Sequence, residues 1–369
     1  MKIDQVNLYH LRMKLRNHFE TSFGRIQTRD CILLEVFSDG ITGYGECVAD
    51  HDPGYSYETT QTAWHVLTEF ILPTVMKTEF DNLQEFKARI SKIRGHLMAK
   101  AGLEMAIWDL MGKRESQSLA ELFGATRIKV PVGVSVGIQD TSRELVEVVS
   151  NYLQAGYARI KIKIKPGRDV EDTSAVRSAF PDILLQVDAN SAYTIENAVN
   201  LLPLDSMNLL LIEQPLAEDD LWDHSRLQPQ FKTPLCLDES ILSVRHGRQA
   251  IEMGACRIIN IKTGRVGGLS EAVAIHNFCH DKSIPVWCGG MLETGVGRAS
   301  NLALAALPGF SLPGDISASD RYYVEDITHE NFTLNNDSTI HVPTGIGLGV
   351  QINHKALHRA TLERLEIKA

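Results

Sequence analysis

The chain has 369 residues, of which 44% are hydrophobic and 22% are charged, the composition of a globular protein that can bury a sizeable core. With a formal net charge of −9, the chain lacks the excess of basic residues that is typical of nucleic-acid-binding proteins. No apolar run approaches the ~18 residues of a membrane span. The N-terminus lacks a signal-peptide pattern and the six cysteines form no C-x-x-C pair. We therefore expect a cytoplasmic protein with free thiols.

The first part of the chain is predicted to be an α+β domain spanning residues 1–125. Three strand-like runs come first, and Ser38–Gly40 joins the second and third as a hairpin turn. Two segments with helical spacing of apolar residues follow. The predicted strands and helices are residues 1–12, Cys31–Phe37, Thr42–Cys47, 59–75 and 98–113.

Residues 126–321 show short apolar runs that alternate with amphipathic segments. Such alternation predicts a parallel sheet, and eight repeats favour closure into a TIM-like (β/α)7β barrel, so the fold class is α/β. The remaining residues, 322–369, are expected to pack back on the first domain. The eight predicted strands are Val130–Val136, Ile160–Ile164, Ile183–Val187, Leu209–Ile212, Leu235–Leu237, Ile258–Ile261, Ile284–Trp287 and Phe310–Leu312.

Ionisable residues recur at the ends of consecutive predicted strands. They are Lys163, Asp188, Glu213, Asp238 and Lys262, separated by 25, 25, 25 and 24 residues. In a barrel, positions repeated in this way lie around one rim. Because TIM-like barrels carry their active sites at the carboxyl ends of the strands, we expect these side chains to converge on one pocket.

The three acids, Asp188, Glu213 and Asp238, are predicted to bind a divalent cation. Carboxylates crowded on adjacent strands repel one another unless positive charge lies between them. Oxygen ligands favour magnesium, with manganese as the alternative, over zinc. Ordinary salt bridges at strand ends are the competing interpretation, and three acids in register make it the weaker one.

Three lysines, Lys161, Lys163 and Lys165, alternate along one strand and therefore share one side of it. An edge strand with solvated lysines is the alternative interpretation. A lysine crowded by other cations has a lowered pKa and can act as a general base. Lys262 would approach from across the pocket, so two lysines would flank a carbon beside a substrate carboxylate. A metal ion would stabilise the enediolate formed when the proton leaves.

Eight stretches distributed over nearly the whole chain are similar to those of a known family. The chain resembles the muconate-lactonizing branch of the enolase superfamily, and within it the o-succinylbenzoate synthases and N-succinylamino acid racemases. The matching stretches are Phe19–Gly24, Lys161–Gly167, Asp188–Tyr193, Ile212–Leu216, Cys236–Ile241, Ile259–Lys262, Gly264–Leu269 and Pro285–Gly295.

The resemblance implies that Asp188, Glu213 and Asp238 bind Mg2+ and that Lys163 and Lys262 are the acid/base pair. It also implies that the N-terminal domain is a capping domain over the barrel mouth. The loops at 19–28 and 51–58 would then select the substrate.

The resemblance further implies roles for five neighbouring residues. Lys161, Ser135 and Met291 would contact the substrate, while Asn190 and Glu239 would support the metal ligands from behind. The chain departs from the family pattern at Thr263, where an apolar residue or proline is expected, at Ser300, and in the loop 49–55. None of these departures removes a ligand or a catalytic lysine, so they leave only the choice of substrate open.

The expected activity is therefore o-succinylbenzoate synthesis by dehydration of a cyclohexadiene carboxylate, a step of menaquinone biosynthesis. The alternative is N-succinylamino acid racemisation by two bases, and one site can support both reactions. A catalytically inactive barrel with a binding role is the third hypothesis. The expected partner is a small-molecule carboxylate, with neither nucleic acid nor membrane, and a homo-oligomer remains open.

Overall fold

The computed structural model describes residues 1–369 as an antiparallel sheet with helices that lies over a parallel barrel. The strands are β1 (Gln5–Thr21), β2 (Gly24–Ser38), β3 (Ile41–Cys47), β4 (Lys129–Pro131), β5 (Val134–Val136), β6 (Arg159–Lys163), β7 (Leu184–Asp188), β8 (Ile212–Glu213), β9 (Leu235–Leu237), β10 (Ile258–Ile261), β11 (Val286–Cys288), β12 (Thr339–His341) and β13 (Thr361–Lys368).

Thirteen α-helices accompany these strands, together with one π-helical stretch, Leu67–Ile71, and three 3-10 helices, Ala198–Met207, Gln228–Gln230 and Ser319–Arg321. The α-helices are α1 (Thr60–Val66), α2 (Leu72–Val75), α3 (Leu83–Ile90), α4 (Leu97–Glu115), α5 (Leu119–Leu122), α6 (Ser142–Gln154), α7 (Asp169–Ala179), α8 (Leu221–Leu227), α9 (Val244–Glu252), α10 (Thr263–Val266), α11 (Leu269–Asp281), α12 (Gly295–Ala305) and α13 (His354–Ala360). None of them combines the length and hydropathy needed to cross a membrane.

The cap sheet has the strand order β13-β1-β2-β3, with all neighbours antiparallel. The predicted first strand is correct in type but ends too early, because β1 and β2 continue beyond the core as a long hairpin that closes at Thr21 and Gly24. Pairing in this hairpin is interrupted between Lys14 and Phe19. The distal part is mostly exposed, which explains why apolar alternation did not reveal it.

Helix α4 packs on the cap sheet at glycines. A side chain at Gly43 or Gly45 would collide with the backbone of α4, and one at Gly102 would collide with Cys47. The helix therefore approaches β3 more closely than larger residues allow. Its predicted apolar face is buried, including Leu103 and Ile107.

The barrel sheet has the order β11-β10-β9-β8-β7-β6-β5, and its neighbours are parallel. The eighth predicted strand is not a regular strand. Residues 310–315 instead close the barrel through isolated backbone hydrogen bonds. Leu312 N donates to Val286 O at 3.3 Å, and Gly133 N donates to Gly314 O at 2.8 Å. Pro313 interrupts this segment and cannot donate a ladder hydrogen bond, which accounts for the irregularity.

The C-terminal segment contacts both parts of the molecule. Strand β12 pairs with β4, just before the first barrel strand, and β13 pairs with β1 over Gln5–Leu11. The polypeptide thus returns to the cap after completing the barrel. The domain limits at residues 125 and 321 stay predictions.

Candidate active site

A cavity of about 210 Å³ lies between the barrel mouth and the cap. The cap contributes residues from both predicted specificity loops, among them Phe19, Phe23 and Tyr55. The barrel contributes five residues that were predicted to act on or contact the substrate, and one that was predicted to support the metal ligands. They are Ser135, Lys161, Lys163, Lys262, Met291 and Asn190.

Strand register explains why residues distant in sequence meet here. Lys163 on β6 lies opposite Asp188 on β7, and Asp188 lies opposite Glu213 on β8. Ser135 on β5 lies opposite Lys161 on β6. All five side chains are buried, so the barrel interior at this level is charged. The alternative interpretation of Lys161 and Lys163 as lysines of a solvated edge strand is wrong, because β6 lies between β5 and β7.

Lys163 contacts one predicted metal ligand and one supporting residue. Its Nζ lies 2.6 Å from Asp188 Oδ2 and 2.7 Å from Asn190 Oδ1. Asn190 in turn donates from Nδ2 to Glu239 Oε1 at 3.0 Å. The two residues predicted to support the ligands therefore form a chain that ends at Lys163.

Lys161 lies among three acids. Its Nζ is 2.8 Å from Glu213 Oε2, 3.1 Å from Asp188 Oδ2 and 2.6 Å from Asp315 Oδ2. Glu213 also accepts a hydrogen bond from Asn260 Nδ2 at 2.7 Å. This arrangement compensates the charge of a lysine that is only 2% exposed.

Lys262 approaches from the other side of the barrel. Its Nζ lies 2.7 Å from Asp238 Oδ2 and 4.4 Å from the centre of the Tyr55 ring. Tyr55 OH donates to Asp238 Oδ1 at 3.0 Å, and Arg265 also pairs with that oxygen. The cap therefore reaches the barrel charges directly through Tyr55.

The two predicted acid/base lysines differ in the direction of their pKa shifts. Burial lowers the pKa of Lys163, and the neighbouring ammonium of Lys161 lowers it further, against the opposing effect of Asp188. Burial also acts to lower the pKa of Lys262, but Tyr55 and the surrounding carboxylates raise it overall. The direction for Lys163 suits a general base, and that for Lys262 suits a cation.

The carboxylates show the complementary effects. Burial raises the pKa of Glu213, and the nearby Asp188 adds to the rise. Burial likewise raises the pKa of Glu239 to about 7, with Asp188 the next cause. Burial acts to raise the pKa of Asp188 as well, but Lys163 and Lys161 lower it overall. The lysines therefore offset the effect of burial on the pKa of Asp188, but not on the pKa values of Glu213 and Glu239.

The residues present fit a hard divalent cation. Asp188, Glu213 and Asp238 are buried at the ends of three adjacent strands, and the Oε2 atom of Glu239 is buried without a hydrogen-bond partner. Oxygen donors of this kind are those that magnesium prefers. In the structure, lysines neutralise Asp188, Glu213 and Asp238, and no three Asp, Glu, His or Cys side chains are arranged to hold a metal ion. Metal ligation and the catalytic roles stay predictions.

Three residues of the site were missed in the sequence. Asp315 lies three residues after the last predicted barrel strand, whereas Asp188, Glu213 and Asp238 directly follow theirs, and its place near a strand end was the available signal. Arg265 lies in the glycine-rich stretch after Lys262. Tyr55 belongs to a predicted specificity loop, but nothing in its surroundings indicates contact with a barrel lysine.

Comparison with known proteins agrees with this fold and site. Residues 3–124 match the family described as mandelate racemase / muconate lactonizing enzyme, N-terminal domain, and residues 144–356 match the enolase C-terminal domain-like family. The capped barrel with its ring of acids and lysines is therefore that of an enzyme of the enolase superfamily. Within this superfamily, the chain belongs to the family of o-succinylbenzoate synthases and N-succinylamino acid racemases.

Three relatives illustrate the similarity. The o-succinylbenzoate synthase of Geobacillus kaustophilus is 49% identical, with 98% of this chain and 96% of the relative covered. The N-succinylamino acid racemase of an Amycolatopsis species is 48% identical, with both chains covered completely. A crystal structure of an enolase-superfamily member from Listeria innocua has a TM-score of 0.95 at 43% identity, and covers 100% of this chain and 99% of its own.

Proposed function

We propose that this protein is an o-succinylbenzoate synthase. It catalyses the magnesium-dependent syn-dehydration of 2-succinyl-6-hydroxy-2,4-cyclohexadiene-1-carboxylate, a step of menaquinone biosynthesis in the cytoplasm. The observation that carries the proposal is the placement of Lys163 at the end of β6 and of Lys262 directly after β10, four strands further around the barrel, with both side chains lining one cavity. The high identity to synthases over the full chain supports the same reaction.

The lysines supply the proton chemistry. Lys163, whose pKa is lowered by burial, takes the proton from the ring carbon that bears the carboxylate, so a C–H bond breaks and an N–H bond forms. The C–O bond to the ring hydroxyl then breaks. Because the elimination is syn, the protonated Lys163 lies on the face of the leaving group and can return the proton, which yields water. Lys262 stays cationic and stabilises the transient anion.

The acids and the cavity supply the remaining requirements. Asp188, Glu213 and Asp238 would hold magnesium, which supplies positive charge for the substrate carboxylate as negative charge develops. Lys161 provides a fixed second cation at the carboxylate, and Ser135 Oγ is buried beside it without a partner and free to bond the substrate. The cap residues that line the cavity would limit the access of water to the site.

Racemisation of N-succinylamino acids is the second candidate. That reaction removes a proton from one face of the α-carbon and delivers one to the other face. Lysines on opposite sides of the barrel suit such a transfer, and the same anion-stabilising groups serve both reactions. Relatives that carry the racemase name are as similar to this chain as several of those named synthases.

The decisive experiment is magnesium-dependent dehydration by the purified protein, followed as loss of diene absorbance. We expect kcat/KM above about 10⁴ M⁻¹s⁻¹, abolished by EDTA and restored by magnesium. Racemisation of N-succinyl amino acids would be measured in parallel. Turnover of the amino acid derivative alone would replace the synthase proposal with the racemase. Turnover of neither substrate by folded, metal-loaded protein would leave the inactive barrel.

A further inference from the structure

A second cavity, of about 460 Å³, lies beside the first barrel strand and shares no lining residue with the active-site cavity. Strand β1, the loop after β5, helix α6 and a residue of the 3-10 helix at 319–321 form its wall. Its polar lining consists of Asn17, His18, Gln139, Asn151, Tyr152 and Arg321. No aspartate or glutamate lines it, although the protein carries a net charge of −9.

Arg321 is the distinctive group of this cavity. Its guanidinium carbon lies 5.0 Å from the centre of the Tyr152 ring and 5.1 Å from that of Tyr322. Its guanidinium makes one hydrogen bond, from Nη2 to the carbonyl oxygen of Ser135 at 3.0 Å. The Nε atom is buried without an acceptor, and the side chain has no ion pair, not even with the exposed neighbour Asp320.

These contacts leave most of the hydrogen-bonding capacity of Arg321 unused. A guanidinium has five N–H donors in a planar fork that matches a carboxylate. A half-buried cation with one acceptor and no counter-ion is poorly compensated, and an anion would supply what the protein does not. A purely structural role, in which Arg321 holds the Ser135 carbonyl, explains its one hydrogen bond and its aromatic contacts. It does not explain why no aspartate or glutamate lines the cavity.

The rest of the lining suits the same ligand. Asn17 and Asn151 are exposed, and their side-chain amides can donate to a carboxylate in place of water. Gln139 is held in place by donation from Nε2 to Gly137 O at 2.8 Å. Tyr152 offers an aromatic wall next to the guanidinium. A volume of this size falls in the range of small-molecule sites.

We propose that this cavity is a binding site for a small carboxylate anion, with Arg321 as its anchor. The guanidinium pairs with the carboxylate, and the asparagine amides donate to it. The site is separate from the catalytic lysines, so its existence does not depend on which reaction the protein catalyses.

The test is calorimetric titration with succinate at low ionic strength, in a buffer free of other carboxylates and phosphate. To reduce binding at the active site, the titration uses the Lys163→Ala, Lys262→Ala double variant without a divalent metal ion. Any succinate held by Lys161 is the part of the binding that changes in the second cavity leave unaltered. We expect saturable binding of one succinate per chain. Adding Arg321→Met or Asn151→Asp should weaken it at least tenfold, whereas Arg143→Met, on the exposed side of the same helix, should not change it.

Two variants keep the test decisive if one misfolds. Asn151→Asp leaves Arg321 and its aromatic contacts intact and places a competing carboxylate in the cavity, so its effect reports on the ligand site. The proposal would be overturned by absence of saturable binding, or by cavity variants that bind succinate as tightly as the protein without the cavity substitution. Inorganic phosphate serves as the second probe, and phosphate binding tenfold tighter than that of succinate would overturn the assignment to carboxylates.

Discussion

Asp315 Oδ2 lies 2.6 Å from Lys161 Nζ, and the second oxygen of Asp315 lies 2.6 Å from Arg159 Nη1. The three side chains are buried, and Asp315 comes from the irregular segment that closes the barrel. Burial acts to raise the pKa of Asp315, but Arg159 and Lys161 lower it overall, so the group is a carboxylate. Closure of the barrel therefore fixes the ammonium that contacts Asp188 and Glu213.

Asp315→Asn should lower kcat/KM for dehydration by about 10- to 100-fold. The amide keeps the shape but removes the negative charge, so Lys161 loses one of its three acidic partners and Arg159 loses its only one. Steady-state kinetics with a thermal unfolding scan would check this. The control is Asp320→Asn, an exposed neighbour without a contact to Lys161. Activity of Asp315→Asn equal to that of the parent protein would show that Lys161 needs no such support.

Lys163→Ala and Lys262→Ala should separate the two candidate reactions. Loss of the base Lys163 should reduce dehydration by about 10³-fold or more, while loss of the cation Lys262 should have a smaller effect. Racemisation should be abolished by either change, because each lysine serves one face.

Proton exchange in deuterated water gives the sharper measurement. Each lysine variant should still exchange the α-proton of one enantiomer of an N-succinylamino acid. The enantiomer that exchanges should be the opposite one in the other variant. Lys165→Ala is the matched control. Lys165 alternates with Lys161 and Lys163 along the chain, but its side chain is half exposed and its ion pair is with Glu20, at 3.8 Å. Exchange of both enantiomers by a single-lysine variant would contradict the two-base arrangement.

The sequence predicted those parts of the site that repeat with the fold. Asp188 and Glu213 follow buried strands at a constant interval, and parallel register converts that interval into proximity. The same reasoning predicted the barrel and the place of Lys163. It failed where no repeat exists, as in the distal β1–β2 hairpin and the contact between Tyr55 and Lys262, which depends on how the cap sits on the barrel.

Thr263, where the family pattern has an apolar residue or proline, has a structural explanation that lies in a distant part of the sequence. Thr263 Oγ1 donates to Asn301 Oδ1 at 3.1 Å, and Asn301 Nδ2 donates to Glu293 Oε1 at 2.9 Å. A threonine is tolerated beside Lys262 because α12 supplies a buried partner for its hydroxyl. The structure offers no comparable account of Ser300, whose hydroxyl donates to Gly297 O within the same helix.

Arg29→Lys should raise KM by about tenfold with a smaller effect on kcat. Arg29 is 2% exposed and joins both sides of the cavity. Its Nε donates to Met291 O in the barrel at 3.1 Å, its Nη1 lies 2.9 Å from Asp50 in the cap loop, and its Nη2 donates to Val48 O. A lysine keeps the charge but cannot reach all three acceptors, so the cavity walls lose their alignment.

Kinetic constants for both substrates would check this expectation. Arg12→Lys is a suitable control, because Arg12 also pairs with a cap aspartate, Asp30, but is 43% exposed in its side chain and does not line the cavity. A change confined to kcat would contradict a role for Arg29 in shaping the substrate cavity.

Glu46 should make the protein less stable as the pH rises from about 5 to 7. Its carboxylate, from the cap, accepts hydrogen bonds from Thr294 N, Thr294 Oγ1 and Gly297 N at the start of α12, at 3.1, 2.6 and 2.9 Å. Burial nevertheless raises the pKa of Glu46 from 4.5 to about 7, with Glu293 as the next cause. Between these values the folded state binds more protons than the unfolded state.

The free energy of unfolding should therefore fall through this window, by at most about 1.4 kcal/mol per pH unit from this group. The stabilisation is complete below pH 4.5 and is lost once the pH passes about 7. Glu46→Gln cannot ionise, so the difference in unfolding free energy between variant and parent should shift in favour of the variant as the pH rises. Urea unfolding at pH 5, 6, 7 and 8 would measure it. Glu325→Gln, which alters an exposed pair with Arg359, should give a nearly constant difference, and the same flat profile for Glu46→Gln would show that Glu46 is ionised throughout.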